Sequence, residues 1–425
     1  MISDVDPLTR WQDRVMANLY AEPWDKAHQQ RVAQEQHQKL YELQRLIAET
    51  PQGKPNYEQF GYAFAAMQGF SASDCAIAEQ VALAVWRNGG KGSQIVLSGL
   101  LQSIALALQP SSLSFWIAAL NWKKPRDSSA EQREIYAIAA ICLLAGTSAP
   151  DDAEAVLCQL LQHPAPRVRA MVAYYLGSTG EMRQDGLSQA ALNALKQCAL
   201  HDTDTPTRYQ ARNSLWMFGQ SLPRDNPKKV YRFNVQLKGH AARRVIDMRS
   251  KHTLAQLHAV IQDSFEWDSD HLYSFFVNGI AQDMRYQIDC PDLDGDEFSL
   301  SLHEMMADIH LSDAMKELAG QAEFVPEDHP ALDAELGEMD VDDEERDAID
   351  TTTISIGELG LLPKHTMLYF YDYGDNHEFL VTLEEIIDPT PKTRYPRLVR
   401  GEGASPPQYP FWDDEEDYED EDGAK

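Results

Sequence analysis

The stretch "YDYGDNHEF" places Asp372, Asp375, His377 and Glu378 within seven residues, flanked by the apolar runs of "MLYF" and "FLVTLEEI". Two carboxylates and an imidazole at that spacing offer mixed oxygen and nitrogen donors for a divalent metal, and they could also carry a proton. The same residues suit a tight hairpin: Asp bonds backbone amides, Gly374 accepts a positive φ, and His begins the next strand. Both readings stay open at this level. His271 in "WDSDHLYSF" opens another strand. If the strand ends converge, His271, Asp372, Asp375 and His377 form a candidate metal set. No nucleophile signature accompanies them, so no catalytic residue is assigned; the chain leans toward a non-catalytic role, with a metal-dependent enzyme or metal-regulated module built on this cluster as the alternative.

Other chemistry-bearing stretches are less specific. "CPDLDGDEFSLSLHE" begins like a calcium loop with Asp292, Asp294 and Asp296. An EF-hand needs Gly at its sixth position and Glu at its twelfth, whereas Gly295 is fourth and His303 twelfth; a solvated acidic loop is expected. "NGGKGSQI" lacks the spacing of a phosphate loop and reads as a connection between helices. The strip "PKTRYPRLVRGEG" carries Lys392, Arg394, Arg397 and Arg400 around Tyr395. It could touch nucleic-acid phosphates, with Arg394, Arg397 and Arg400 as the contacts, or pair within the chain. At a formal net charge of −30, intramolecular pairing with the acidic tail is the simpler expectation.

That charge, 37 basic against 67 acidic residues, repels bare nucleic acid and anionic membrane unless a basic patch is segregated from it. Proteins, cations or a basic surface are the better partners. Five scattered cysteines without a C-x-x-C pair imply reduced thiols in a cytoplasmic protein. The N-terminus has early acids and no apolar h-region, so no signal peptide is expected. The most apolar region is broken by Gln102, Pro110 and serines, which excludes a membrane helix and favours buried ones. Two acidic segments, about 321–350 and 411–425, should be solvated and mobile.

The elements that must position these residues fall into two regions. Up to about residue 222 the chain reads as helix after helix. "HPAPRVRAMVAYYLGSTG" and "HDTDTPTRYQARNSLWMFGQ" align Arg169 on Arg208 and Leu176 on Leu215, a period of 39 residues. Each unit has a Pro-containing turn, an Arg and a small-residue-rich helix, and "DDAEAVLCQLLQ" and "LSQAALNALKQCAL" are the helices before each turn. "SSAEQREIYAIAAICLLAG" is an earlier copy with Arg133 in the corresponding place. "NYEQFGYAFAAMQGF" and "ASDCAIAEQVALAVWRNGG" should continue the helices, with a capping helix before residue 50. The pattern over 130–220 resembles HEAT-type repeats, which implies a protein-binding array. Arg169 and Arg208 are then either ligand contacts or ties to a neighbouring repeat's turn.

A linker at 223–229 changes the periodicity. "VYRFNVQLKG" and "RRVIDMRS" make a hairpin, "TLAQLHAVIQDSFEW" a helix capped by Thr253, and "HLYSFFVNG" a third strand. "TTISIGELGLL" is a short helical turn, and "HTMLYFYDYG" and "FLVTLEEII" are the last two strands. This order predicts a small α+β, β-grasp-like domain over 230–410. These blocks, with "RYPRLVRGEGASPPQ", occur in the order found in the plasmid pRiA4b ORF-3-like family, which the chain resembles over about 228–410. The resemblance covers Asp372, Tyr373, Gly374, Asp375, His377 and His271. It departs where the family has a Trp before the His, and at Ser405, where the family usually has Cys. Family members occur in plasmids, insertion elements and chromosomes, which implies a setting near mobile elements or phage defence. Taken together, the sequence predicts a cytoplasmic scaffold of HEAT-like and α+β domains binding a protein partner, with a possible divalent metal as its one cofactor.

Overall fold

The computed structural model describes residues 23–50, 54–61, 63–64, 70–183, 185–220, 222–291 and 350–409. The calcium-like loop, nearly all of the acidic insert and the acidic tail lie outside them. The described residues fall into two compact units, 23–220 and 222–291 with 350–409.

The first unit is helical: α1 Pro23–Glu49, α2 Ala72–Asn88, α3 Ser93–Leu106, α4 Leu113–Leu120, α5 Ala130–Gly146, α6 Pro150–Leu160, α7 Pro166–Met182, α8 Gln189–His201 and α9 Thr205–Met217. The caps explain the boundaries. The Asp204 carboxylate accepts from Thr207 N at 3.0 Å ahead of α9, and Ser188 Oγ accepts from Ala191 N at 3.2 Å ahead of α8. Proline occupies the first turn of α6, α7 and α9, where its missing N–H costs nothing. Helices α3, α5, α7 and α9 pack side by side in sequence, and α6 and α8 form a second row. Helix α5 is apolar nearly all round, and Ala137 to Ala145 are all buried because helices cover it on several sides. Small residues set the spacing between α7 and α9 within the first row. A Cβ on Gly177 would stand 2.8 Å from Ser214 Oγ, and one on Gly180 would stand 2.2 Å from the Phe218 ring.

Of "NYEQFGYAFAAMQGF", read above as a helix, the described residues form only the 3-10 turn Glu58–Phe60. The "NGGKG" loop does connect two helices, α2 and α3, as expected. Gly90 has φ +127° and stands so close to Pro55 O that a Cβ would lie 2.3 Å from it.

The second unit is a seven-stranded sheet with one helix, α10 Leu254–Phe265. Its strands are β1 Val230–Leu237, β2 Arg243–Arg249, β3 Tyr273–Phe276, β4 Gln287–Asp289, β5 Thr366–Tyr371, β6 His377–Ile387 and β7 Arg397–Glu402, in the order β4-β3-β5-β6-β1-β2-β7. Every pairing is antiparallel. The expected succession of hairpin, helix, strand, helical turn and two strands is present, and β4 and β7 extend it at the two edges. Thr253 and Gln256 form a reciprocal capping box at the start of α10. Leu254, Leu257, Ile261 and Phe265 are fully buried. Strand β5 is covered on both faces. Tyr369 reaches α10 through His258 and Gln262, while Leu368 and Phe370 join Phe276 on the other face, with Tyr373 and Leu380 around them.

The described residues on the two sides of 292–349 meet within this unit. Thr351 N donates to Asp289 O at 2.9 Å, Ala255 N donates to Thr351 O at 2.8 Å, and the Thr351 hydroxyl lies 3.1 Å from the Tyr273 hydroxyl.

Candidate functional site

The β5–β6 hairpin brings the first cluster together. Tyr371 pairs with His377 across the ladder, leaving 372–376 as the loop. Asp372 and Asn376 both have φ +57°, a backbone conformation tolerated best by Asn, Asp and Gly. One oxygen of Asp372, Oδ1, accepts from Gly374 N at 2.8 Å and from Asp375 N at 3.3 Å. This is the turn chemistry that the sequence offered as one of two readings. The other is compatible with it: donor atoms of Asp372, Asp375 and His377 all lie within 4.8 Å of one another. His271, just before β3, places Nε2 3.7 Å from Asp372 Oδ2 and 3.6 Å from Asp270 Oδ1. Asp372, Asp375 and His377 therefore come together at one end of the sheet, and His271 stands beside Asp372 without joining the group of three. Asp372 is buried, Asp375 exposed and His377 half-buried.

The walls of the site were not legible as such. Trp267, just after α10, has its ring centroid 4.7 Å from that of His377, and the Tyr371 ring lies nearly parallel to His377 with centroids 6.4 Å apart. The returning C-terminal segment closes the site. Gln408 accepts from Asp268 N at 2.7 Å and donates to the Tyr371 hydroxyl at 3.2 Å, and Pro406 O accepts from the Trp267 indole at 2.9 Å. Tyr371 in turn donates to Asp268 O and to the Asp270 carboxylate. Burial and this carboxylate push the Tyr371 phenol well above its usual range, so it stays a neutral hydroxyl. Burial also lowers His377 from the ordinary imidazole value, against the opposing pull of Asp375 and Asp372. The His377 Nε2 is buried with no hydrogen-bond partner. A Trp at 267 close ahead of His271 was the one signal in the sequence for these walls.

Ser405, where the family pattern usually has Cys, spends its hydroxyl on Arg244 Nη2 at 2.6 Å.

The other candidate residues are engaged elsewhere. The Arg169 guanidinium clasps Asp202 through Nε (2.7 Å) and Nη2 (2.8 Å), and Nη1 donates to His163 O at 2.8 Å. It ties the turn before its own helix to the turn after α8. Arg208 Nε donates to Ala199 O at 3.2 Å, and Arg133 donates to Ala119 O, Trp122 O and Asp127. The repeated arginine thus holds turns and helix ends. In the basic strip, Arg397 Nη2 donates at 2.9 Å to Asp247, a fully buried carboxylate also held by Arg232. Arg400 pairs with Glu402 at 3.1 Å, and Arg249 and Arg397 lie over the Tyr395 ring. The partner expected for this strip was the acidic tail, which lies outside the described residues. Within them the strip pairs with the sheet, because 397–402 form β7. Arg394 is exposed and has no ion pair among the described residues.

A cleft of about 450 Å³ sits in the helical unit, lined by Trp86, Gly90, Gly92, Gln94, Lys124 and Arg126. Lys124 Nζ already donates to Trp86 O at 2.9 Å. This cleft shares no residue with the His and Asp cluster, which is the chemically better-equipped place.

Comparison with known proteins fits both units. Residues 229–409 match the family described as plasmid pRiA4b ORF-3-like protein. Residues 127–216 match HEAT repeats, N-terminal to the ORF-3-like unit. A crystal structure of a protein of unknown function from Methanosarcina mazei Go1 aligns at 20% identity over 42% of this chain and 72% of its own, with a TM-score of 0.27. No curated protein sequence matches the chain. No helix among the described residues is long and apolar enough to cross a membrane.

Proposed function

We propose that the chain is a non-catalytic interaction scaffold whose helical array binds a protein partner. The observation that carries this reading is the row of stacked helices α5, α7 and α9 over a segment matching HEAT repeats. Such rows expose an extended surface while each unit contacts only its neighbours. The repeated arginines stitch the array internally, so partner contacts fall to the exposed positions. Ile117 and Trp216 are 39% and 37% exposed, respectively, and a cleft of about 200 Å³ lies between α4 and α6. The net charge of −30 fits a partner with a basic face. A direct nucleic-acid role is the weaker reading, since Arg397 and Arg400 already pair within the sheet unit. A setting in mobile-element biology rests on where the family occurs and on nothing in the site.

The test is affinity capture from native lysate with the full chain, with Ile117→Glu plus Trp216→Glu, and with Asp375→Ala. One protein should be captured by the full chain and by Asp375→Ala, and at least tenfold less by the double helical variant. Capture that survives the helical substitutions and disappears with Asp375→Ala would overturn the assignment of binding to the array.

A further inference from the structure

We propose that Asp372, Asp375 and His377, with His271 beside them, bind one divalent first-row transition-metal ion. The hairpin turn accounts for one oxygen of Asp372 only. It provides nothing for His377 Nε2, a buried nitrogen without a hydrogen-bond partner. Buried polar atoms are nearly always satisfied, and one left over on a ring that clusters with two carboxylates calls for a ligand. Trp267 and Tyr371 pack against the ring and hold it, and the unpartnered Nε2 is the atom available to an ion.

The dimensions agree. Ligand atoms at about 2.0–2.2 Å from a common ion stand roughly 3–4.4 Å apart. The three donors here lie within 4.8 Å of one another, so a side-chain adjustment of under about 1 Å closes the set. His271 Nε2, 3.7 Å from Asp372 Oδ2, is placed to add a fourth donor. Two imidazoles with two carboxylates favour zinc, cobalt, nickel, manganese or ferrous iron over calcium and magnesium, which take oxygen. Trp267, Tyr371 and Gln408 supply the surrounding shell that holds the donors in place. The ring of donors comes from three places in the chain: the start of β3, the β5–β6 hairpin and the start of β6.

The experiment uses the full chain, stripped with a chelator and then titrated with Zn²⁺ by calorimetry and with Co²⁺ by visible absorption; Mg²⁺ and Ca²⁺ serve as controls. One Zn²⁺ per chain is expected, together with a Co²⁺ spectrum that changes on binding. His377→Ala and Asp375→Asn should each weaken the affinity at least tenfold. Asp375 is exposed on a loop, so its variant keeps the fold, and far-UV circular dichroism verifies this for both. No stoichiometric ion, a preference for Ca²⁺ or Mg²⁺, or binding retained by both variants would overturn the proposal; the last result would assign the ions to the acidic segments.

Discussion

His258 sits on α10 against the middle of the sheet, stacked on Tyr273 at 3.8 Å and hydrogen-bonded through Nδ1 to the Tyr369 hydroxyl at 2.7 Å. Gln262 donates to the same hydroxyl, so Tyr369 gives its own proton to His258, and the imidazole is neutral with an accepting Nδ1. Burial lowers its pKa to about 4. A histidine depressed in this way protonates more readily when unfolded. Its contribution is complete above the unfolded value near 6.5 and is lost as pH falls toward 4. The full effect is about 3 kcal/mol. Urea unfolding at pH 7 and at pH 4.5 should therefore show the stability gap between wild type and His258→Gln narrowing as pH falls. A constant gap would reject the linkage. The metal-site candidates were readable from residue type and from strand ends that had to converge. Gln408 and Trp267 were not, since their roles depend on contacts spanning about 140 residues of chain, between 268 and 408.

At the scale of elements, the repeat is a device for joining turns. Arg169 binds Asp202 across 33 residues, and both side chains are largely buried, at 12% and 7% exposure. A bidentate, desolvated pair of this kind is stronger than a surface ion pair, but losing one partner strands the other. Arg169→Ala and Asp202→Ala should each cost about 2–4 kcal/mol, and the double variant clearly less than their sum. A double-mutant cycle by thermal or chemical unfolding measures the coupling, and strict additivity would show that the clasp does not join the repeats. The 39-residue period was visible because polar turns, arginines and small residues recur in register. Strands β4 and β7 were missed for separate reasons. With three residues, β4 is too short for alternation to register. In β7 the arginines recur every third residue rather than every second and read only as a basic strip, and the buried Asp247 that receives Arg397 lies 150 residues earlier. For the same reason a strip resembling a phosphate-binding face proved to be the edge of a sheet.

For the whole molecule, the excess of 30 negative charges is the dominant long-range term. Self-repulsion at low ionic strength opposes the compact state and is screened over about 10 Å at 0.1 M salt. The midpoint of thermal unfolding should rise by several degrees between about 20 mM and 500 mM NaCl. A falling midpoint would mean that ion pairs such as Arg232–Asp247 outweigh the repulsion. Fold class and the order of the two units were legible in composition and periodicity, because helical and strand periods differ over long stretches. The closure of the sheet unit on the two sides of 292–349 was not, since it depends on Thr351 meeting Asp289, Ala255 and Tyr273. That meeting clamps the chain side by side just before 292 and just after 349, so an epitope or a fluorescent protein inserted between Pro291 and Asp350 should leave the seven strands in register.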